Sequence, residues 1–113
     1  MENAVLIIGN SNHTLMYSAS LRGYGYALTE MRAFDAALDW LATRHQPDCI
    51  IIDMRGQAAA TCDFVGQVRE AGLTTRIIVI GTTSQLNGVD ITLPPTLEAT
   101  DLIDVLRYEL KIA

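Results

Sequence analysis

The chain has 113 residues, with 13 acidic and 8 basic side chains, a formal net charge of -5, 50% hydrophobic residues and 19% charged ones. Such a length fits one domain that buries about two-thirds of the surface its unfolded form would expose, and the composition excludes disordered and coiled-coil classes. The basic residues are scattered singly, which argues against nucleic acid and anionic membranes as partners, because both are held by gathered Lys and Arg.

The apolar run behind Met1, Glu2 and Asn3 ends at Gly9 and has no basic region ahead of it. Neither a membrane span nor an export signal is therefore expected, and the protein is read as soluble and cytoplasmic. Cys49 and Cys62 lack the close spacing of metal ligands or redox pairs, so both are read as reduced structural thiols and no metal centre is expected.

In chain order, Ala4–Ile8 is an almost unbroken apolar run, the pattern of a strand buried on both faces of a parallel sheet. Residues 12–22 follow as a less regular helix, diluted by serines and closed by Gly23. Residues 26–31 alternate and are more polar, as suits a strand near a sheet edge. Phe34, Ala37, Leu38 and Leu41 recur at a period of about 3.6, with Asp35, Asp39 and Arg44 facing away; Phe34 and Trp40 are read as packing residues and His45 as a helix-end residue. Residues 49–52 form the second buried run. Thr61 can cap a helix that puts Phe64, Val65 and Val68 on one face, and Gly72 stands where a left-handed C-terminal cap belongs. Arg76–Ile80 is the third run and residues 89–93 are a last, short strand. After Pro94 and Pro95, Thr96 can cap a final helix with Ala99, Leu102, Ile103, Leu106 and Leu110 on one side and Glu98 in its first turn.

Strands separated by helices imply right-handed crossovers and a parallel sheet covered on both faces. The order predicts an α/β, flavodoxin-like, doubly wound five-stranded sheet in the order 2-1-3-4-5, a single domain over 1–113. Sites in such sheets lie beyond the carboxyl ends of the strands at the topological switch point. The residues to inspect there are Gly9, Asn10, Ser11, Asp53, Met54, Arg55, Gly81, Thr82, Thr83 and Leu93.

The run Cys49-Ile-Ile-Ile-Asp53, with the helix carrying Phe64-Val-Gly-Gln-Val-Arg69, resembles the third strand, phospho-acceptor aspartate and third helix of response-regulator receiver domains. Phe34-Asp-Ala-Ala-Leu-Asp-Trp-Leu41 is similar to the family's second helix, and Leu93-Pro94 falls where the family has lysine followed by proline. The resemblance implies a cytoplasmic, CheY-like signalling domain in a two-component phosphorelay, partnered by a histidine kinase or an output domain. It makes Asp53 the candidate acceptor and Leu93–Pro94 the bond where the family's cis peptide would fall.

Several of the family's groups are missing. Two acidic residues after strand 1 would hold Mg²⁺, a hard cation that needs oxygen ligands, and here they read Gly9 and Asn10. A hydroxyl after strand 4 would bond the phosphoryl group, but Gly81 stands there, and Thr82 serves only if the register slips by one residue. The lysine is replaced by Leu93, and the chain's only lysine is Lys111. Only residues 82–88 separate the last two strands, so the family's fourth helix should be shortened or missing.

The expectation is a degenerate, non-enzymatic pseudo-receiver, acting by protein contacts without efficient phosphorylation of Asp53 and without a cofactor. Arg55 is expected in solvent, with pairing to Asp53 the lesser alternative. A second reading is an atypical receiver that is phosphorylated on Asp53 by a histidine kinase and uses Mg²⁺, with Asn10 lending an oxygen and Arg55 a charge. A third is a flavodoxin-like domain that binds a small anionic ligand at the turn of Asn10, Ser11, Asn12 and His13; a capped loop with an exposed histidine is the plainer account of that turn.

Overall fold

The computed structural model describes residues 3–43 and 46–109; Arg44, His45, Leu110 and Lys111, placed at helix ends by the sequence, lie outside them. Its elements in order are β1 (Ala4–Ile8), α1 (Asn12–Gly23), β2 (Ala27–Met31), α2 (Phe34–Thr43), β3 (Cys49–Asp53), α3 (Ala58–Glu70), β4 (Arg76–Ile80), β5 (Ile91–Leu93) and α4 (Ala99–Glu109). All five strands run parallel in the order β2-β1-β3-β4-β5, the flavodoxin-like arrangement expected.

Alternation along the strands divides the apolar side chains between two layers. Val5, Ile7, Cys49, Ile51, Ile78 and Ile80 face α1 and α4, where they meet Tyr17, Leu21, Leu102, Ile103 and Leu106. Leu6, Ile8, Ile50, Ile52, Ile77 and Val79 face α2 and α3, where they meet Ala37, Leu41, Phe64, Val65 and Val68. The Phe34 and Phe64 rings pack across α2 and α3 with centroids 4.9 Å apart, and Trp40 rests half-buried on the same layer. Central strands β1, β3 and β4 are buried almost throughout, whereas edge strands β2 and β5 are only partly covered.

Helix starts differ from the sequence reading. Thr61 is no cap: α3 begins at Ala58, and Thr61 lies a turn inside it, buried, with no hydrogen-bond partner for its hydroxyl among the described residues. The run Ala58-Ala59-Ala60 favours helix strongly enough to start it early, and Thr61 shares the inward face with Phe64 and Val65. Thr96 is no cap either: Leu97 turns into the core with its N–H on the Pro94 carbonyl (3.1 Å), and α4 starts only after it. Helix α1 includes Gly23 and stops at Tyr24, with Gly25 taking the positive φ. Gly72 does adopt the left-handed conformation after α3, at φ +83°. The last strand is trimmed to Ile91–Leu93, and Leu93–Pro94 is trans.

No helix joins β4 to β5. In its place, Leu86 and Val89 pack down on the layer beneath α2 and α3. The β5 residue on that face is Thr92, opposite Val79, so leaving out a helix uncovers a polar position rather than an apolar one. Arg69 on α3 then stitches the short connection down. Its guanidinium donates to the carbonyls of Gly88 (2.9 Å), Leu73 (3.0 Å) and Thr75 (2.8 Å) and to the Asp90 carboxylate (3.0 Å), which also accepts the Ile77 N–H (2.8 Å). Arg69→Ala is expected to cost about 2 kcal/mol in urea unfolding, and Arg69→Lys should restore less than half of it, because an ammonium cannot span this fork of acceptors.

Candidate functional site

Asp53 closes β3 at the carboxyl end of the sheet, paired in register with Ile80 on β4 and next to the end of β1, at the predicted switch point. Its side chain is only 1% exposed. An ionised carboxylate withdrawn from water this far is unstable unless donors surround it, and the neighbouring segments supply them.

The first donors come from the start of α1. Ser11 is the N-cap, and with Thr14 it forms a capping box: the Ser11 hydroxyl accepts the Thr14 N–H (3.2 Å) and the Thr14 hydroxyl accepts the Ser11 N–H (3.4 Å). Each hydroxyl has a proton left over, and both are given to the same oxygen, Asp53 Oδ2, at 2.6 Å from Ser11 and 2.7 Å from Thr14. The carboxylate is thereby fixed at the positive end of a helix, where negative charge is favoured. His13, in the first turn of α1, is exposed.

The other oxygen belongs to Arg55. The guanidinium Nη1 donates to Asp53 Oδ1 at 2.7 Å, with the Arg55 N–H near the same oxygen at 3.4 Å. This corrects the expectation of a solvated arginine. Two residues past a strand end, the chain has turned back at Gly56, so the side chain folds over the site and is only 21% exposed. Its Nη2 reaches the Pro95 carbonyl and lies 3.4 Å from the Tyr17 hydroxyl, and the guanidinium carbon stands 6.0 Å from the centre of the Tyr17 ring. Burial alone would raise the Asp53 pKa, but hydrogen bonds from Ser11, Thr14 and Arg55 and the guanidinium charge outweigh it and hold the carboxyl below its ordinary value. Burial alone would lower the Arg55 pKa, and the bonds to Tyr17 and Asp53 together with the Asp53 charge raise it on balance.

The other residues singled out by the sequence lie at the carboxyl ends of β1, β4 and β5. Gly9 is packed so closely that a Cβ there would lie 2.4 Å from Thr14 Oγ1 and 2.8 Å from Asp53 Cβ, so no acidic side chain fits without moving the capping box. Asn10 is exposed and makes no hydrogen bond to Asp53. Gly81 sits at φ +126°, a conformation that side-chain-bearing residues rarely adopt, and its N–H bonds to the Leu93 carbonyl (2.8 Å). Thr82 has not slipped into its place: its hydroxyl accepts the Ser84 N–H (3.0 Å). Leu93 packs against the layer under α4, and the Pro94 carbonyl closes the turn to Leu97.

Among the described residues no three His, Cys, Asp or Glu side chains gather where they could hold a metal ion. The donors around Asp53 are two hydroxyls and a guanidinium, a set that does not suit Mg²⁺. Cys49 is buried and Cys62 exposed, and both are unpaired. Two residues that sequence alone does not single out, Thr14 and Tyr17, complete the site. The spacing of Ser11 and Thr14 directly after a buried strand was a visible signal for the first; nothing local marks the second.

Asp53→Asn is expected to cost about 2 kcal/mol at neutral pH. Because the folded carboxyl titrates below its unfolded value of about 3.9, the stabilisation is complete above that pH and is lost as pH falls through the folded value. Urea midpoints of wild type and variant should therefore converge only below about pH 4. Gly9→Ala should cost about 1 to 3 kcal/mol in the same assay, and Gly9→Asp should be worse.

No family model matches the chain, and neither does any curated protein. Solved structures match it over nearly its whole length. The receiver domain of the sensor histidine kinase PA1611 from Pseudomonas aeruginosa PAO1, which has magnesium in its active-site cleft, superposes with a TM-score of 0.80 at 19% identity, covering 99% of this chain and 100% of that one. The chemotaxis response regulator CheY4 of Vibrio cholerae gives 0.80 at 22% identity, over 96% and 98%. A CheY-like receiver domain protein from Methanospirillum hungatei JF-1 gives 0.83 at 12% identity, over 98% and 95%. With its sheet order, its helix placement and these superpositions, the chain has the fold of the response-regulator receiver domain.

Proposed function

We propose that this chain is a pseudo-receiver: a non-catalytic signalling domain that works through contacts with proteins of two-component regulation, such as a histidine kinase or an output domain, without an efficient aspartyl-phosphate switch. The observation that carries this reading is that both oxygens of Asp53 are already engaged by Ser11, Thr14 and Arg55.

Phosphoryl transfer to a carboxylate needs a free oxygen in line with phosphorus, and cations to meet the charge that spreads over the phosphoryl oxygens. Here the acceptor is buried, its lone pairs are committed, and its own negative charge takes up the nearest guanidinium. The carboxylate also stands where an external anion would bind at the start of α1, which argues against the anion-binding reading of the Asn10 to His13 turn. Cytoplasmic placement fits this role; no helix among the described residues is long and apolar enough to cross a membrane.

One observation favours the atypical receiver instead. Arg55 places a positive charge 2.7 Å from the candidate acceptor, and a guanidinium can clamp phosphoryl oxygens. Intact-mass analysis after incubation with acetyl phosphate and Mg²⁺ separates the two. The expected spectrum contains unmodified protein alone, alongside a competent receiver that is labelled under the same conditions. A phosphoryl adduct that disappears in Asp53→Asn would replace the pseudo-receiver with the atypical receiver.

A further inference from the structure

The connection between β5 and α4 begins with two prolines, Pro94 and Pro95, which have no N–H to donate. Its carbonyls are the available handles, and two of them are held from across the site. The Pro95 carbonyl accepts from Arg55 Nη2, and the Leu97 carbonyl accepts from the buried Tyr17 hydroxyl at 2.7 Å. Leu97 is itself part of the layer that seats Leu102, Ile103 and Leu106 of α4, so the position of this turn sets where the helix begins.

Arg55 therefore touches three parts of the molecule at once: the Asp53 carboxylate, the Tyr17 hydroxyl on α1 and the turn ahead of α4. We propose that Arg55 is a positioning residue, a resident cation that latches the β5–α4 turn to Asp53 and so regulates the α1/α4 face of the domain. This rests on the pseudo-receiver reading, since it takes the Asp53–Arg55 pair to be the standing state of the site. The turn is held through an internal ion pair, so loss of either residue releases it.

The latch is distinct from a general loss of stability because its effect is local. Backbone amide exchange, followed by NMR in the full chain, would compare residues 97–102 with the amides of α2, which packs on the opposite layer. In Arg55→Ala and in Asp53→Asn, exchange at 97–102 should rise about tenfold relative to α2. Tyr17→Phe, which deletes a single hydroxyl and keeps the core ring, should give a smaller rise at the same amides. Arg55→Lys should resemble Arg55→Ala, because an ammonium cannot hold the carboxylate and the Pro95 carbonyl together.

Unchanged protection at 97–102 in these variants, or a rise matched in proportion across α2, would overturn the latch. Either result leaves the acetyl-phosphate experiment untouched, so failure of the latch and failure of the pseudo-receiver reading are told apart by which assay departs from expectation.

Discussion

A carboxylate that is 1% exposed must be compensated where it stands, and much of this site follows from that requirement at Asp53. The Ser11 and Thr14 hydroxyls that cap α1 turn their protons onto one oxygen, and the Arg55 guanidinium covers the other. Gly9 must lack a side chain so that Thr14 and Asp53 can approach each other past it. The same carboxylate thus ties together the ends of β1 and β3, the first turn of α1 and, through Arg55, the turn that precedes α4.

This economy is opposite in sense to that of a metal-dependent acceptor. A site that takes up Mg²⁺ and a phosphoryl group keeps negative oxygens in excess and relies on cations from outside. Here the lone carboxylate of Asp53 is neutralised internally: the Ser11 and Thr14 hydroxyls are spent on one oxygen, and the cation on the other is Arg55 of the loop that follows it. The connection between β4 and β5, which contains no helix, is also held by an arginine. Arg69 binds the Gly88 carbonyl and the Asp90 carboxylate of that connection together with the Leu73 and Thr75 carbonyls of the loop before β4, and Thr92 makes the uncovered strand face polar. In both places an arginine side chain fixes a turn beside the sheet: Arg55 the one before α4 and Arg69 the one before β5.

The three central strands were legible because they are short, nearly unbroken apolar runs, a pattern that suits a sheet buried on both sides, and the order of elements then restricted the topology. Helix starts were less legible. Thr61 and Thr96 are good capping residues by type, but an alanine run began one helix early and the burial of Leu97 delayed the other, so local preference gave way to context. Asp53, Gly9 and Gly81 could be placed from the strand ends alone. The partners of Asp53 could not: Arg55 reaches it because the chain reverses at Gly56, and Tyr17 joins because α1 lies against the turn before α4. Contacts set by such reversals and crossings have no period in the sequence to give them away.

The central claim is that the Asp53 carboxylate is held ionised by donors of its own chain. A pH titration of its side-chain carbon by NMR, with and without Mg²⁺, in wild type and in Arg55→Ala, tests this most directly. The expected result is a wild-type pKa below the ordinary carboxylate range, indifferent to Mg²⁺ and raised when Arg55 is removed. A pKa at or above that range, or one displaced by Mg²⁺, would contradict it.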